Sequence, residues 1–261
     1  MPHLARIHLY PVKSLDPLRV ERAVLLPSGA LGHDRRFAMQ DREGGFINGK
    51  RAPAVHSLRT QFDPTANRLS LQVEGSGEVS TFDMNTQRRE LGAWLGEYLA
   101  IPLELVEDQA RGFPDDSESP GPTVISTATL ASVASWFEGM TLDEARDRFR
   151  ANLEIDGVEA FWEDRLVAEA GRCVRFRIGD AELLGTNPCQ RCAVPTRNPR
   201  TGETTREFAK TFARLRQQSL PGWAPAGRFD HFYRLAVNTR QAGGGECVLR
   251  VGDAVCVLGD A

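Results

Sequence analysis

The amino-acid sequence predicts a mainly β protein with some helices, an α+β fold made of two β-barrel-like domains. Short alternating segments fill residues 1–85, and turns rich in Pro, Gly or Asp separate them. Residues 107–122 are acidic and rich in Pro, Gly and Ser, which is typical of a domain boundary. The second part mixes helical periodicity with further alternating segments. We therefore expect one domain at residues 1–118 and another at residues 119–261.

The first domain is expected to be a sandwich or barrel, because many short strands at this spacing disfavour βαβ units. One helix follows the early strands, since Leu91, Trp94, Leu95, Tyr98 and Leu99 form a single apolar stripe. The predicted strands of this domain are residues 5–10, 19–26, 36–39, 57–62, 68–73 and 103–106.

The second domain is expected to contain a mixed, barrel-like sheet with three helices. Ser126 or Thr127 caps the first helix, and Thr141 with Glu144 forms a capping box for a second that ends near Phe149. Phe208, Phe212 and Leu215 mark the third, amphipathic helix. The predicted strands are residues 152–155, 173–178, 181–184, 231–237 and 247–258.

Composition sets limits on function. The chain has 261 residues, 41% of them hydrophobic and 26% charged, and a net charge of -3, which argues against a general nucleic-acid binder. Lys13, Lys50 and Lys210 are the only lysines among 32 basic residues, so Lys13 near a strand end is informative. No long apolar run or secretory signal is present, and we expect no membrane association. An odd count of five cysteines indicates a reducing, cytoplasmic environment with free or metal-bound thiols.

Residues 185–203, GTNPCQRCAVPTRNPRTGE, are expected to form an irregular loop because Pro188, Pro195 and Pro199 punctuate it. The pair Cys189 and Cys192 is compatible with half of a zinc site, a redox dithiol or a single thiolate ligand for a soft metal. Two inert cysteines in a turn are a further alternative. Candidate zinc partners elsewhere in the chain lack paired spacing: His231, Cys173, Cys247 and Cys256.

Basic side chains in predicted loops form a second group of candidates. Lys13 and Ser14 follow the first strand, Arg35 stands in an Asp-Arg-Arg run after a Gly turn, and Arg150 precedes Asn152 after a capped helix. Each is compatible with a solvated surface charge or with an anion site, since Arg offers a planar fork for phosphate and Lys a point charge.

Taken together, the motifs resemble the MOSC domain proteins, named for the C-terminal domain of molybdenum cofactor sulfurase. The nearest likeness is to two-part members such as the mitochondrial amidoxime reducing components. The motifs occur in family order and cover nearly the whole chain: Tyr10-Pro-Val-Lys-Ser14, Gly32-His-Asp-Arg-Arg-Phe37, Phe46-Ile47 followed by Arg51, Arg148-Phe-Arg-Ala-Asn-Leu153, Phe161-Trp-Glu-Asp164, Pro188-Cys-Gln-Arg-Cys192, Thr196-Arg-Asn-Pro-Arg-Thr-Gly202 and Val251-Gly-Asp253.

The resemblance implies an N-terminal MOSC-associated β-barrel, a C-terminal MOSC β-barrel and a molybdenum cofactor (Mo-molybdopterin) between them. Cys192 would be the catalytic residue and the metal ligand, with the charge of Arg191 favouring its thiolate, and Cys189 would be structural. Ala151 stands where similar proteins have proline. The implied cofactor-binding residues are Lys13, Ser14, Arg35, Arg51, Ser119, Arg150, Asn152, Arg191 and Cys192.

The resemblance also implies a molybdenum-dependent oxidoreductase that reduces N-hydroxylated small molecules by two-electron oxygen-atom transfer. The chain carries no iron–sulfur cysteine cluster after Leu258, so we expect electrons from a separate flavin, haem or iron–sulfur protein. One alternative is a carrier of the molybdenum cofactor or of sulfur without turnover. Another is a zinc-stabilised interaction protein that uses Cys189 and Cys192.

Overall fold

The computed structural model describes residues 1–261. It confirms an α+β fold in which strands predominate. The helices are α1 (Arg88–Leu99), α2 (Thr127–Ser135), α3 (Leu142–Phe149) and α4 (Phe208–Gln218). The strands are β1 (His3–Leu9), β2 (Leu18–Val20), β3 (Arg22–Leu25), β4 (Phe37–Gln40), β5 (Leu58–Asp63), β6 (Arg68–Val73), β7 (Val79–Asp83), β8 (Glu104–Glu107), β9 (Val124–Ser126), β10 (Leu153–Asp156), β11 (Val174–Ile178), β12 (Ala181–Gln190), β13 (Arg234–Gln241), β14 (Cys247–Arg250) and β15 (Val255–Asp260).

The largest sheet is mixed and has eight strands in the order β15-β11-β12-β13-β9-β10-β1-β2. Only β9 and β10 run parallel in it. The amide of Leu4 donates to the carbonyl of Asp253 (2.8 Å), and the amide of Val255 donates to the carbonyl of Pro2 (3.0 Å). The first strand therefore also lies against the start of β15, and the sheet curls into a barrel.

A second core lies in the N-terminal half, where β5, β6 and β7 form one small sheet and β4 pairs with β8. Helix α1 covers these strands through the apolar stripe read from the sequence, and Leu91 and Leu95 are fully buried. The resulting cluster contains 16 buried residues, Phe37 and Leu58 among them.

Strands from the first residues of the chain cross the predicted domain boundary. β1 pairs with β10, and β3 pairs with β14. The core of 19 residues accordingly mixes Leu4 and Ile7 with Phe176 and Val237. The division at residue 118 stays a prediction, and the two parts share strands across it.

The helix caps form as the sequence predicts. The side chain of Ser126 accepts from the amide of Thr129 (3.0 Å) at the start of α2, and Thr141 accepts from the amide of Glu144 (3.1 Å) at the start of α3. Helix α3 ends at Phe149, and Arg150 follows it in the left-handed conformation. These caps stabilise the helix ends and fix the direction in which the chain leaves α3.

Several strands differ from their predicted bounds. Residues 19–26 form two strands, β2 and β3, because they pair with different sheets. β7 and β9 were not predicted, and β9 has only three residues, too few to show a period. No helix in the chain combines the length and the apolar character that a membrane crossing requires.

The expectation of an irregular loop throughout residues 185–203 was wrong for its first part. β12 continues to Gln190 and pairs with β13 up to Arg234. Two register shifts, at residues 185–187 and 188–190, accommodate Pro188, which has no amide proton for the ladder. Gly185 is required there, because a Cβ at this position would lie 1.8 Å from the carbonyl oxygen of Leu166.

A buried ionic cluster joins α4 to a 3-10 turn, Trp162–Leu166. Arg216, 1% exposed, pairs with Asp164 and lies over the rings of Phe161 and Phe229 at 4.4 and 4.9 Å. The adjacent Glu163 accepts from the hydroxyl of Thr129 (2.9 Å). Burial, together with the charge of Asp164, raises the pKa of Glu163 from 4.5 to about 7.

We predict that Glu163→Gln changes the pH dependence of stability. Between the usual pKa of 4.5 and the folded value of about 7, the unfolded carboxyl releases its proton while the folded one retains it. The free energy of unfolding of the wild type therefore falls as pH rises through this window. The variant lacks this titration, so its stability relative to the wild type should rise by roughly 1–3 kcal/mol across the window.

The measurement is the urea midpoint at several pH values. Glu138→Gln is the control, because Glu138 is exposed and makes no hydrogen bond or ion pair. A constant difference between wild type and Glu163→Gln from pH 4 to pH 8 would contradict the assignment.

Candidate functional site

A cleft of about 860 Å³ is lined by residues from both halves of the chain. This volume suits a ligand of the size of an organic cofactor or a drug. Eleven of its lining residues are Lys or Arg and six are Asp, although the chain as a whole is acidic. The cleft is therefore built to attract an anionic ligand.

Most of the predicted site residues meet in this cleft. Arg51 and Asn152 are absent from its lining. The residues that do line it come from loops far apart in the sequence: Lys13, Ser14, Arg35, Ser119, Arg150, Arg191 and Cys192.

Cys192 lies just beyond the end of β12 and has an exposed, free thiol. Its Sγ accepts a hydrogen bond from the amide of Val194 (3.5 Å). Val194 is the first residue of a short 3-10 turn, Val194–Thr196. The extended pairing of β12 with β13 holds the preceding residues, since the amide of Arg191 donates to the carbonyl of Tyr233 (3.0 Å). The thiol is thus presented to the cleft from a fixed strand end.

The guanidinium of Arg191 contacts Cys189 instead of Cys192. Its Nη1 donates to the Sγ of Cys189 (3.1 Å), and its Nη2 donates to the carbonyl of Phe149 (2.5 Å). Cys189 itself packs against a buried cluster that includes Phe149. Arg191 therefore ties the cysteine segment to the end of α3, and no contact in the structure links its charge directly to the thiol of Cys192.

Tyr10 organises two of the predicted arginines. The guanidinium groups of Arg35 and Arg150 lie 5.4 and 4.1 Å from the centre of its ring. The ring is 2% exposed, and burial raises the pKa of its hydroxyl to about 12, so it stays neutral. Arg150 also donates to the carbonyl of Leu15 (2.6 Å), while Arg35 forms an ion pair with Asp34. A neutral aromatic ring is a favourable surface for packing two like charges close together.

Three of the predicted residues have left-handed backbone conformations without being glycine. The φ angles of Ser14, Arg35 and Arg150 are 78°, 48° and 52°. Such conformations are costly for residues with a Cβ and concentrate at functional sites. Their coincidence in one cleft supports a shared function for these loops.

The segment that the sequence indicated as a domain boundary forms one wall of the cleft. Lys13, 9% exposed, donates through Nζ to the carbonyl of Phe113 (2.9 Å) and pairs with Asp115 (2.5 Å). Desolvation opposes ionisation of Asp115, but the charges of Arg35 and Lys13 lower its pKa to about 2. Asp116 accepts from the amide group of Asn238 (3.1 Å). An acidic, Pro-rich composition gave no sign that this segment faces a site.

Ser119 ends that wall, and its hydroxyl is 2.8 Å from the hydroxyl of Thr186 on β12. Arg51, by contrast, pairs with Asp41 in a turn outside the cleft. Its neighbour Lys50 lines the cleft instead.

Asn152 is 1% exposed and lies beneath the cleft. Its Nδ2 donates to the carbonyl of His8 (3.0 Å) on β1. Its Oδ1 accepts from the amide of Thr123 (3.2 Å) and from Nη1 of Arg35 (3.3 Å). The side chain therefore positions Arg35 and does not face a ligand.

Comparison with known proteins identifies the family that has this architecture. Residues 1–101 match the family described as the MOSC N-terminal beta barrel domain, and residues 123–256 match the family described as the MOSC domain. The chain belongs to the MOSC domain family. The resemblance read from the sequence motifs is thereby confirmed.

The MOSC chain is similar to molybdenum cofactor sulfurases. The one from Drosophila grimshawi is 28% identical, and the match covers 84% of this chain and 31% of that protein. The one from Danio rerio is 24% identical, and the match covers 82% of this chain and 30% of that protein. The chain therefore spans about a third of the length of these relatives.

Among solved structures, YiiM from Geobacillus stearothermophilus aligns with 53% of this chain and with 54% of its own chain. The sequence identity is 12% and the TM-score is 0.34, which is too small a likeness to support an argument.

We predict that Asn152→Leu destabilises the MOSC chain. Leucine has nearly the same volume, but it leaves the carbonyl of His8 and the amide of Thr123 without their side-chain partner. Each buried group left unpaired costs roughly 1–3 kcal/mol, so the loss should be clear in the urea midpoint. Asn85→Leu is the control, because Asn85 is exposed. Equal midpoints for the two variants would show that Asn152 does not join these elements.

Proposed function

We propose that this MOSC chain binds the molybdenum cofactor in the cleft. The observation that supports this most directly is the position of Cys192, whose exposed thiol borders the same cleft as the clustered cations. A thiolate is a suitable ligand for a soft metal, and Arg and Lys are suitable partners for a phosphate group. The relation to molybdenum cofactor sulfurases points to the same cofactor.

The residues fit the cofactor as a set. Cys192 would hold the metal, while Lys13, Ser14, Arg35 and Arg150 would hold the phosphate and the pterin. Ser119 and Arg191 would contact the cofactor from the C-terminal side, and Asn152 would hold Arg35 in position. Arg51 lies outside the cleft and pairs with Asp41, so it is left out of the proposed set.

We further propose that the chain is an oxidoreductase that reduces N-hydroxylated compounds. When bound, the cofactor would supply two-electron redox chemistry that no side chain offers. The chain would hold the cofactor and orient a small polar substrate in the cleft. Electrons would come from a separate protein that carries flavin, haem or an iron–sulfur cluster. The free thiols agree with activity in a reducing cytoplasm.

A second candidate function is carriage of the cofactor or of sulfur without turnover. The names of the sulfurase relatives favour it. A zinc-stabilised module is less well supported, because nowhere in the chain do three or more His, Cys, Asp or Glu side chains come together as a metal site would require.

Substitution of Cys192 tests the proposal. We predict that the wild-type chain, produced in a host that makes the cofactor, contains molybdenum and reduces benzamidoxime with an artificial electron donor. Cys192→Ser should abolish the reduction, because an alcohol is a poor ligand for a soft metal. Cys189→Ser is the matched control and should mainly lower stability, since Cys189 packs against the core.

Metal analysis separates the candidates. Molybdenum with turnover supports the reductase. Molybdenum without turnover, tested with several N-hydroxylated substrates and competent donors, favours the carrier. Zinc without molybdenum contradicts both. If Cys189→Ser abolishes activity and Cys192→Ser does not, the ligand assignment is reversed.

A further inference from the structure

One corner of the cleft contains cationic side chains that the proposed cofactor site does not use. We call it the His56 subsite and define it by His56, Arg59, Arg197 and Lys50, all of which line the cleft. His56 belongs to a short 3-10 turn, Pro53–Ser57, and Arg197 directly follows the turn after Cys192. The subsite is therefore assembled from both halves of the chain, next to the cysteine segment.

Direct contacts hold this corner together. Nη2 of Arg59 donates to the carbonyls of His56 and of Pro199, the latter at 3.3 Å. Nη1 of Arg197 donates to the carbonyl of Gly202 (3.0 Å). The contact from Arg59 to Pro199 thus binds the loop that follows Cys192 to the N-terminal half. The contact from Arg197 to Gly202 lies within that loop and leaves the charge of Arg197 without a carboxylate partner.

Two glycines allow the loops to approach the imidazole. A Cβ on Gly49 would lie 2.7 Å from Nε2 of His56, so a larger residue would displace the ring. Gly202 has a φ of +73°, and a Cβ there would lie 3.5 Å from the Cβ of His56. The ring is consequently clamped between segments from the two halves.

His56 is half-buried and feels the charges of four arginines. Burial and the charges of Arg150, Arg197, Arg59 and Arg148 lower the pKa of His56 to about 4. The imidazole is therefore neutral near pH 7, and its buried Nε2 has no hydrogen-bond partner within the chain. A neutral imidazole can donate its N–H to an anion, and the nearby guanidinium groups supply the positive charge that attracts one.

The subsite also has donors that remain available. Arg197 uses only Nη1 within the chain, toward Gly202 and the hydroxyl of Thr204 (3.3 Å), and no carboxylate pairs with it. Lys50 likewise has no acidic partner. Arg59 differs, since it pairs with Asp16 (3.3 Å) and Glu74 (2.9 Å) and acts mainly as a support.

We propose that the His56 subsite binds an anionic group of the substrate, a carboxylate or a phosphate. Arg197 and Lys50 would neutralise the group, and the imidazole of His56 would hydrogen-bond to it. That the anionic group belongs to a substrate rests on the proposed function, whereas anion binding at His56 does not. Lys13 and Arg35, the proposed partners of the cofactor phosphate, line the same cleft but do not belong to the subsite. The chain thereby selects N-hydroxylated compounds that carry an acidic group.

The first experiment measures selectivity in the cofactor-loaded chain. Benzamidoxime is compared with the same compound bearing a para carboxylate, and kcat/KM is measured for each. The wild type should prefer the carboxylate by about tenfold or more, as a charge-assisted hydrogen bond allows. Arg197→Gln should bring the ratio close to one. Arg206→Gln is the matched control, because Arg206 is exposed and outside the cleft, and should leave the ratio unchanged.

The second experiment needs neither cofactor nor turnover. Inorganic phosphate and benzoate are titrated into the cofactor-free chain labelled at histidine, and the ring signals of His56, assigned with His56→Gln, are followed by NMR. We expect a saturable shift that Arg197→Gln weakens at least about tenfold and Arg35→Gln retains. An absent shift, or one lost in Arg35→Gln and kept in Arg197→Gln, overturns the subsite and assigns the anion to the cofactor site.

The two experiments separate the two proposals. A His56 shift that depends on Arg197, in a chain without reductase activity, keeps the anion subsite and rejects the proposed function. Reduction of both amidoximes at equal kcat/KM, with no His56 shift, keeps the function and rejects the subsite.

Discussion

The pairing of β1 with β10 is the constraint on which the cleft depends. The amide of His8 donates to the carbonyl of Asn152 (2.7 Å), and the side chain of Asn152 donates back to the carbonyl of His8 (3.0 Å). This exchange brings the loop after β1, with Lys13 and Ser14, next to Arg150 at the end of α3. Without it, the cations from the two halves of the chain would not share one cavity, and the thiol of Cys192 would border only half a site.

Concentrating positive charge in a cleft has an electrostatic cost that the surrounding groups offset. Asp34 and Asp115 neutralise Arg35 and Lys13, and the neutral ring of Tyr10 separates charges that would otherwise repel. A bound anion would relieve the remaining repulsion. In the His56 subsite, likewise, the neutral imidazole adds no charge to the surrounding arginines.

The sequence predicted local features well, because they depend on neighbouring residues. The caps at Ser126 and Thr141, the apolar stripe of α1 and most strands of the barrel follow from short-range patterns. The continuation of β12 past Pro188 did not, since it depends on pairing with β13. Candidate residues carried by family motifs, such as Cys192 and Arg150, do meet in the cleft. His56 belongs to no motif, and the motif Thr196–Gly202, which contains Arg197, gave no indication of an anion site. The segments that His56 and Arg197 anchor touch through a contact between residues 140 positions apart.

X-ray absorption at the molybdenum edge of the cofactor-loaded chain would show whether Cys192, just after β12, is the protein ligand of the metal. We expect one sulfur neighbour fewer around molybdenum in Cys192→Ser than in the wild type, and no change in Cys189→Ser. An unchanged sulfur shell in Cys192→Ser, with molybdenum still bound, would contradict this assignment.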